Sequence, residues 1–185
     1  MRFTSRLILC AVVPAGLFVL ALAISLWGLT RTQSDFSRYM GTEQAVAAGL
    51  SELYAQGLQS GQALRNIVLD PANQVAYDNL KASHQAFDEA YEATLAVVRG
   101  TPVEAALLPL KQLRVTQVGV QGQVRDLARS DPAAAAQALN SLETPAWRAL
   151  RSALLQQIKV ARATAVEITH ASGEIAQGNA DLSAR

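Results

Sequence analysis

The chain has 185 residues, half of them hydrophobic but only 5% aromatic, with a net charge of +1 and one cysteine, Cys10. That charge excludes a strongly basic nucleic-acid surface and an acidic tail, and a lone cysteine excludes an intramolecular disulfide. Ala and Leu dominate the apolar content, which favours helices over strands.

The first element is an apolar segment. No charged residue occurs from Leu7 to Thr30, a length that crosses the ~30 Å hydrocarbon core as a helix. Arg2 and Arg6 precede it, which places the N-terminus in the cytoplasm, and Trp27 suits the far interface. Pro14 is tolerable inside a membrane span. Residues 1–31 therefore read as a stub and membrane anchor, with the remainder of the chain outside the cytoplasm. A cleaved signal peptide is the alternative, with Ala21-Leu22-Ala23 as the processing site.

Helical periodicity then takes over. Val46, Leu50, Leu53, Gly57, Ser60, Leu64 and Ile67 recur at steps of four and three, the seam of a first long helix stopped by Asp70-Pro71. A second helix carries Leu80, Phe87, Tyr91, Leu95 and Val98 on one face and ends at Gly100. Thr101-Pro102-Val103-Glu104 combines a capping box with proline at the first helical position. The third helix has the seam Val103, Ala106, Leu110, Leu113, Gln117, Val120, Val124 and Leu127, with a kink expected at Pro109. Ser130-Asp131-Pro132 closes it and caps a fourth stretch to about His170, with a restart or kink at Thr144-Pro145. From Ile158 the seam continues through Ala161, Ala165, Ile168, Ser172, Ile175, Asn179 and Leu182.

The expected helices measure about 38, 28, 27 and 39 residues, or roughly 57, 42, 40 and 58 Å. Short turns force neighbours to run antiparallel. The fold class is all-α: an N-terminal transmembrane helix, then an up-down-up-down four-helix bundle with long first and fourth helices. Residues 32–170 form the bundle.

No catalytic constellation is present. His84 and His170 lack cysteines or paired carboxylates at ligand spacing, and there is no phosphate loop, nucleophile elbow or nucleic-acid motif. The sequence reads as a non-enzyme without metal or cofactor. Gly57-x-x-x-Gly61 has two readings, a helix-one dimer seam or close packing inside one bundle.

Three blocks carry a family resemblance. Gly57-Leu58-Gln59-Ser60-Gly61-Gln62-Ala63-Leu64-Arg65-Asn66-Ile67-Val68-Leu69-Asp70-Pro71, with Asn73 and Tyr77, resembles the first-to-second helix region of the four-helix-bundle sensor of methyl-accepting chemotaxis proteins. Glu143 to Arg151 resembles the fourth helix of that sensor. Gly173 to Arg185 is similar to the segment entering the cytoplasmic signalling hairpin, so residues 171–185 read as its truncated start. Complete receptors also have a second membrane span and a HAMP linker, which the expected layout lacks, so kinase and adaptor contacts are expected only of a full-length receptor.

The resemblance implies a ligand-sensing module, a homodimer, and a small polar effector bound at the membrane-distal end. Arg65 and Asn66 of helix one with Thr144, Arg148 and Arg151 of helix four are the candidate binding residues. Guanidinium groups match carboxylates as bidentate donors, pointing to an amino acid or organic acid; a solvated helix face is the plainer reading of each arginine. Two other function classes stay open: a membrane-tethered structural or interaction protein, and the extracytoplasmic sensor of a histidine kinase.

Overall fold

The computed structural model describes the backbone of residues 3–183, with side chains from Val12 onward except at 35, 37–40 and a scatter of positions beyond Thr164. Within that range the protein is helical: α1 (Phe3–Leu69), α2 (Gln74–Val98), α3 (Pro102–Ser130), α4 (Pro132–Ala138), a π-helical segment (Leu139–Glu143) and α5 (Thr144–Ser183). It divides into two units, residues 1–41 and 42–185. Arg2 and Arg185 lie outside the described residues, as do the side chains of Arg6 and Cys10 and the seam positions Ala165, Ile168, Ser172, Ile175, Asn179 and Leu182.

The first unit contains a 23-residue stretch, Val12–Ser34, that is long and apolar enough to cross a membrane. Its large apolar side chains, from Val12 to Leu29, are exposed, so nothing among the described residues covers them. The hydroxyls that approach the end of this stretch are satisfied locally. Thr30 donates to the Trp27 carbonyl at 3.0 Å and Thr32 to that of Gly28 at 2.9 Å. Arg31 lies over the Trp27 ring, 5.4 Å from its centroid, an amphipathic pairing suited to a membrane–water boundary.

The second unit is the bundle. Residues 42–69 of α1 supply its first helix, and α4, the π segment and α5 together supply the fourth. All seven positions of the expected first seam, from Val46 to Ile67, are buried. The turns form where proline and glycine require them. After Leu69 the Asp70 carboxylate accepts from Ala72 N–H, and Asn73 caps α2 by accepting from Ala76 N–H at 3.2 Å. Gly100 adopts φ +77°, the left-handed conformation open to a residue without Cβ. The expected capping box at Thr101 forms differently: Glu104 accepts from Gly100 N–H at 2.7 Å, while the Thr101 hydroxyl donates back to Val98. Asp131 caps α4 through Ala134 N–H as expected.

The irregularity before Pro145 is a π-helical turn. Proline has no N–H for the carbonyl four residues back, and its ring crowds that carbonyl. Widening the preceding turn relieves the conflict, with Thr144 N–H bonded to the Leu139 carbonyl five residues back and the Thr144 hydroxyl reinforcing it at 3.0 Å. Pro109, by contrast, sits inside an uninterrupted α3. The fourth helix runs on to Ser183, beyond the end near His170 that the sequence suggests.

Two glycines of helix one, Gly49 and Gly57, meet side chains of the same bundle. A Cβ at Gly57 would overlap the edge of the Trp147 ring, and one at Gly49 would overlap the Thr94 side chain. Trp147 also packs on Tyr54, with ring centroids 6.0 Å apart. The absence of a side chain at Gly57 is what lets the fourth helix come close, which is the packing reading of the glycine pair. At Gly61 a Cβ would lie 3.4 Å from the Arg65 guanidinium and 4.0 Å from the Glu143 carboxylate.

Candidate functional site

Two apolar clusters fill the bundle. One gathers Leu50, Leu53, Phe87, Tyr91, Leu107, Leu110, Trp147, Leu150 and Leu154; the other gathers Leu64, Ile67, Leu80, Val124, Ala128 and Ala135. Between them every helix places polar residues at the same level. Helix α1 contributes Ser60, α2 contributes Ser83 and His84, α3 contributes Arg114, Gln117 and Gln121, and the fourth helix contributes Glu143. Apart from half-buried His84, all are buried; Ser60, Gln117, Gln121 and Glu143 are 0% exposed.

The hydrogen bonds of this layer run in one direction. Gln121 donates through its amide nitrogen to Glu143 Oε1 at 3.2 Å and to Ser60 Oγ at 3.3 Å. Its oxygen is therefore left to accept, so the 2.7 Å contact with His84 has Nε2–H of the imidazole as donor. On the other side, Arg114 Nη1 donates to Gln117 Oε1 at 2.8 Å, and Gln117 Nε2 donates to Glu143 Oε1 at 3.4 Å. Both amides thus converge on one carboxylate oxygen, and Gln117 relays between the Arg114 cation and that carboxylate.

Three buried polar atoms have no hydrogen-bond partner among the described residues: Arg114 Nε, Arg114 Nη2 and Glu143 Oε2. Such groups are rare in folded proteins, because each carries a desolvation cost of about 1–3 kcal/mol. Arg114 is 4% exposed and its guanidinium lies 4.2 Å from the Phe87 ring centroid, a cation–π contact that offsets part of that cost. Burial pulls the Arg114 pKa down to about 10, opposed by the nearby Asp88 carboxylate; the group remains a cation at neutral pH. Beside it, α2 and α3 form a cavity of about 300 Å³, open to the surface and lined by Phe87, Asp88, Tyr91, Glu92, Lys111, Arg114 and Val115.

His84 gives the layer a pH response. Burial lowers its pKa, the positive charges of Arg114 and Arg125 add to that, and the Gln121 bond and Asp88 oppose it. The unfolded chain therefore takes up a proton near pH 6.5 that the native layer resists. Stability is at its full value above pH 6.5 and falls as the pH drops below it, towards the depressed native value. Thermal unfolding of the chain between pH 7.5 and 5.5 shows this slope, and His84→Gln, which keeps a donor for Gln121, flattens it. An unchanged slope in that variant excludes His84 as its source.

The five residues expected to bind a ligand are placed elsewhere. The same offset that pairs Gly57 with Trp147 pairs Gly61 with Glu143, so helix one and the fourth helix run antiparallel. Extending it puts Arg65 level with Leu139, but Arg148 and Arg151 level with Gln56 and Leu53. Arg65 and Arg151 are then roughly 18 Å apart along the axis at 1.5 Å per residue. Arg65, Asn66, Arg148 and Arg151 are exposed, and the half-buried Thr144 spends its hydroxyl on the π turn. None of the five lines the Arg114 cavity.

Sequence reasoning misses Arg114, Gln121 and Glu143. It phases the third seam on Leu113 and Val120, which are half-buried; the buried stripe is Leu107, Leu110, Arg114, Gln117, Gln121, Val124 and Ala128. Apolar periodicity passes over polar core positions because it scores only apolar residues. The one available signal is Gln117, a polar residue already in the seam, whose neighbours at three and four positions are Arg114 and Gln121.

No protein-family model matches the chain, and no curated protein is similar to it. Among solved structures, it is similar to one described as the periplasmic sensor domain of a sensor histidine kinase, with 16% sequence identity and a TM-score of 0.65. The match covers 74% of this chain and 94% of that one. What the two proteins share at this identity is the helical fold.

Proposed function

We propose that this chain is the ligand-sensing, non-enzymatic part of a single-pass receptor in a bacterial inner membrane, with the bundle in the periplasm. The observation that carries the reading is the buried polar layer, which ties all four helices to one carboxylate and ends in an under-coordinated arginine beside a cavity. A bundle built only as a spacer has no use for such a layer, since an apolar core of equal volume is at least as stable. A sensor needs an element whose hydrogen bonds a ligand can rearrange.

A sensor histidine kinase is the receptor class we favour, because the fold matches 94% of a periplasmic sensor domain from one. The second reading is a chemotaxis receptor, supported by the residues Gly57 to Pro71 and Gly173 to Arg185. In either case the receptor works as a homodimer held together by shared membrane anchors, which raise the effective concentration of the pair.

The first test is topology. Alkaline phosphatase, which is active only outside the cytoplasm, is expected to be active when fused after Gly100, and β-galactosidase inactive there. The opposite pattern overturns the placement and the sensing reading with it.

A further inference from the structure

We propose that the cavity between α2 and α3 is a binding site for a small zwitterion of amino-acid size, its carboxylate held by Arg114 and its ammonium by Asp88. The proposal rests on the sensing reading above, adds the site, and narrows the expected amino acid or organic acid to a zwitterion.

The argument starts with the guanidinium. Arg114 is held by a hydrogen bond at Nη1 alone, through Gln117. The two N–H groups without a partner among the described residues, on Nε and Nη2, lie along one edge of the same plane. That edge is the fork that takes both oxygens of a carboxylate in parallel. Both atoms are shielded from water as they stand, in a residue that is 4% exposed. The proposal requires the guanidinium, which lies on the face of Phe87, to turn so that its free edge meets the cavity that Arg114 lines. A carboxylate that arrives there supplies partners for two buried donors, and no side chain among the described residues does so.

The charges around the cavity then select the rest of the ligand. Lys111 and Glu92 neutralise each other at 3.2 Å, and the Lys111 ammonium also lies 5.6 Å from the Tyr91 ring centroid. That leaves one cation, Arg114, and one anion, Asp88, close enough that Asp88 opposes the fall in the Arg114 pKa. A molecule with one carboxylate and one ammonium complements that pair. A dicarboxylate places its second negative charge beside Asp88, a like-charge arrangement that disfavours it. The volume of about 300 Å³ is at the small end for ligand pockets, and the walls formed by Phe87 and Tyr91 accept an apolar side chain.

The experiment is calorimetric titration of the full chain in detergent micelles with a panel of L-amino acids, the amide of the best binder, its amine lacking the carboxylate, and succinate. At least one L-amino acid is expected to bind, and the amide, the amine and succinate to bind at least tenfold more weakly. Arg114→Lys, which keeps the charge but loses the fork, and the exposed-site variant Asp88→Asn are each expected to weaken the best binder by roughly tenfold or more. Should Arg114→Lys fail to fold, Asp88→Asn and the amide decide the matter. Binding by no amino acid, preference for succinate, or an affinity unmoved by Asp88→Asn overturns the site. The phosphatase fusion reads out separately, so a failed site and a failed sensing assignment are distinguishable.

Discussion

Trp147→Ala lowers the stability of the bundle by about 3–5 kcal/mol, the cost of removing a large aromatic from a packed core. In a chain of this length that corresponds to a fall of roughly 6–20 °C in the thermal midpoint. The reason is local. Trp147 is 8% exposed, fills the notch left by Gly57 and packs against Tyr54, so its loss opens a void that α1 and α5 cannot close without shifting.

A double-mutant cycle gives that statement its test. Gly57→Leu alone is destabilising, because its first carbon overlaps the ring. Combined with Trp147→Ala, the leucine enters the vacated space, and the pair is less destabilised than the sum by about 1 kcal/mol or more. Strict additivity shows that ring and notch do not meet. The cycle also separates the two readings of the glycine pair. A dimer seam at Gly57 predicts that Gly57→Leu changes the oligomeric mass in detergent while leaving the unfolding midpoint of the monomer unmoved.

How the sequence relates to this packing differs between helices. Helix one is fully legible because all seven seam positions are small or apolar, and the bundle buries every one of them. Turns at Asp70-Pro71, Gly100 and Asp131-Pro132 are equally legible, since proline and glycine restrict the backbone whatever surrounds them. Helix three is legible as a helix but not in its phase. Arg114 and Gln121 are buried only because Phe87, Gln117, Glu143 and His84 meet them there, and most of those partners come from distant stretches of chain. The π turn is visible as a break at Thr144-Pro145 but not as the device that seats Glu143 in the core. The candidate site is the least legible part. Arg65, Arg148 and Arg151 stand out by charge and family context, whereas Arg114 stands out only through its unsatisfied buried donors, a property of the assembled bundle alone.

Glu143→Ala is expected to cost about 3–5 kcal/mol, more than the loss of an ordinary hydrogen bond. The carboxylate is the shared acceptor of Gln117 and Gln121, so its removal orphans two buried amide donors and takes from Arg114 the negative charge relayed through Gln117. Glu143→Gln is milder, because an amide oxygen still accepts from both glutamines. The informative comparison is the concerted replacement of Arg114 by Met with His84, Gln117, Gln121 and Glu143 all changed to Leu, which also removes the imidazole that donates to Gln121. Every group that the single change orphans is then apolar, and the bundle is expected to be as stable as the parent or more so. Thermal and denaturant unfolding of the full chain in detergent measure all three. A concerted variant that unfolds as readily as Glu143→Ala shows that the polar layer is a net source of stability, in which case the layer needs no other role. The expected result, a stable bundle without the layer, leaves its retention to be explained by what the layer does. It fixes the level at which four helices meet, and it couples Arg114 at the cavity to the π turn of the fourth helix through Gln117 and Glu143, two side chains in series.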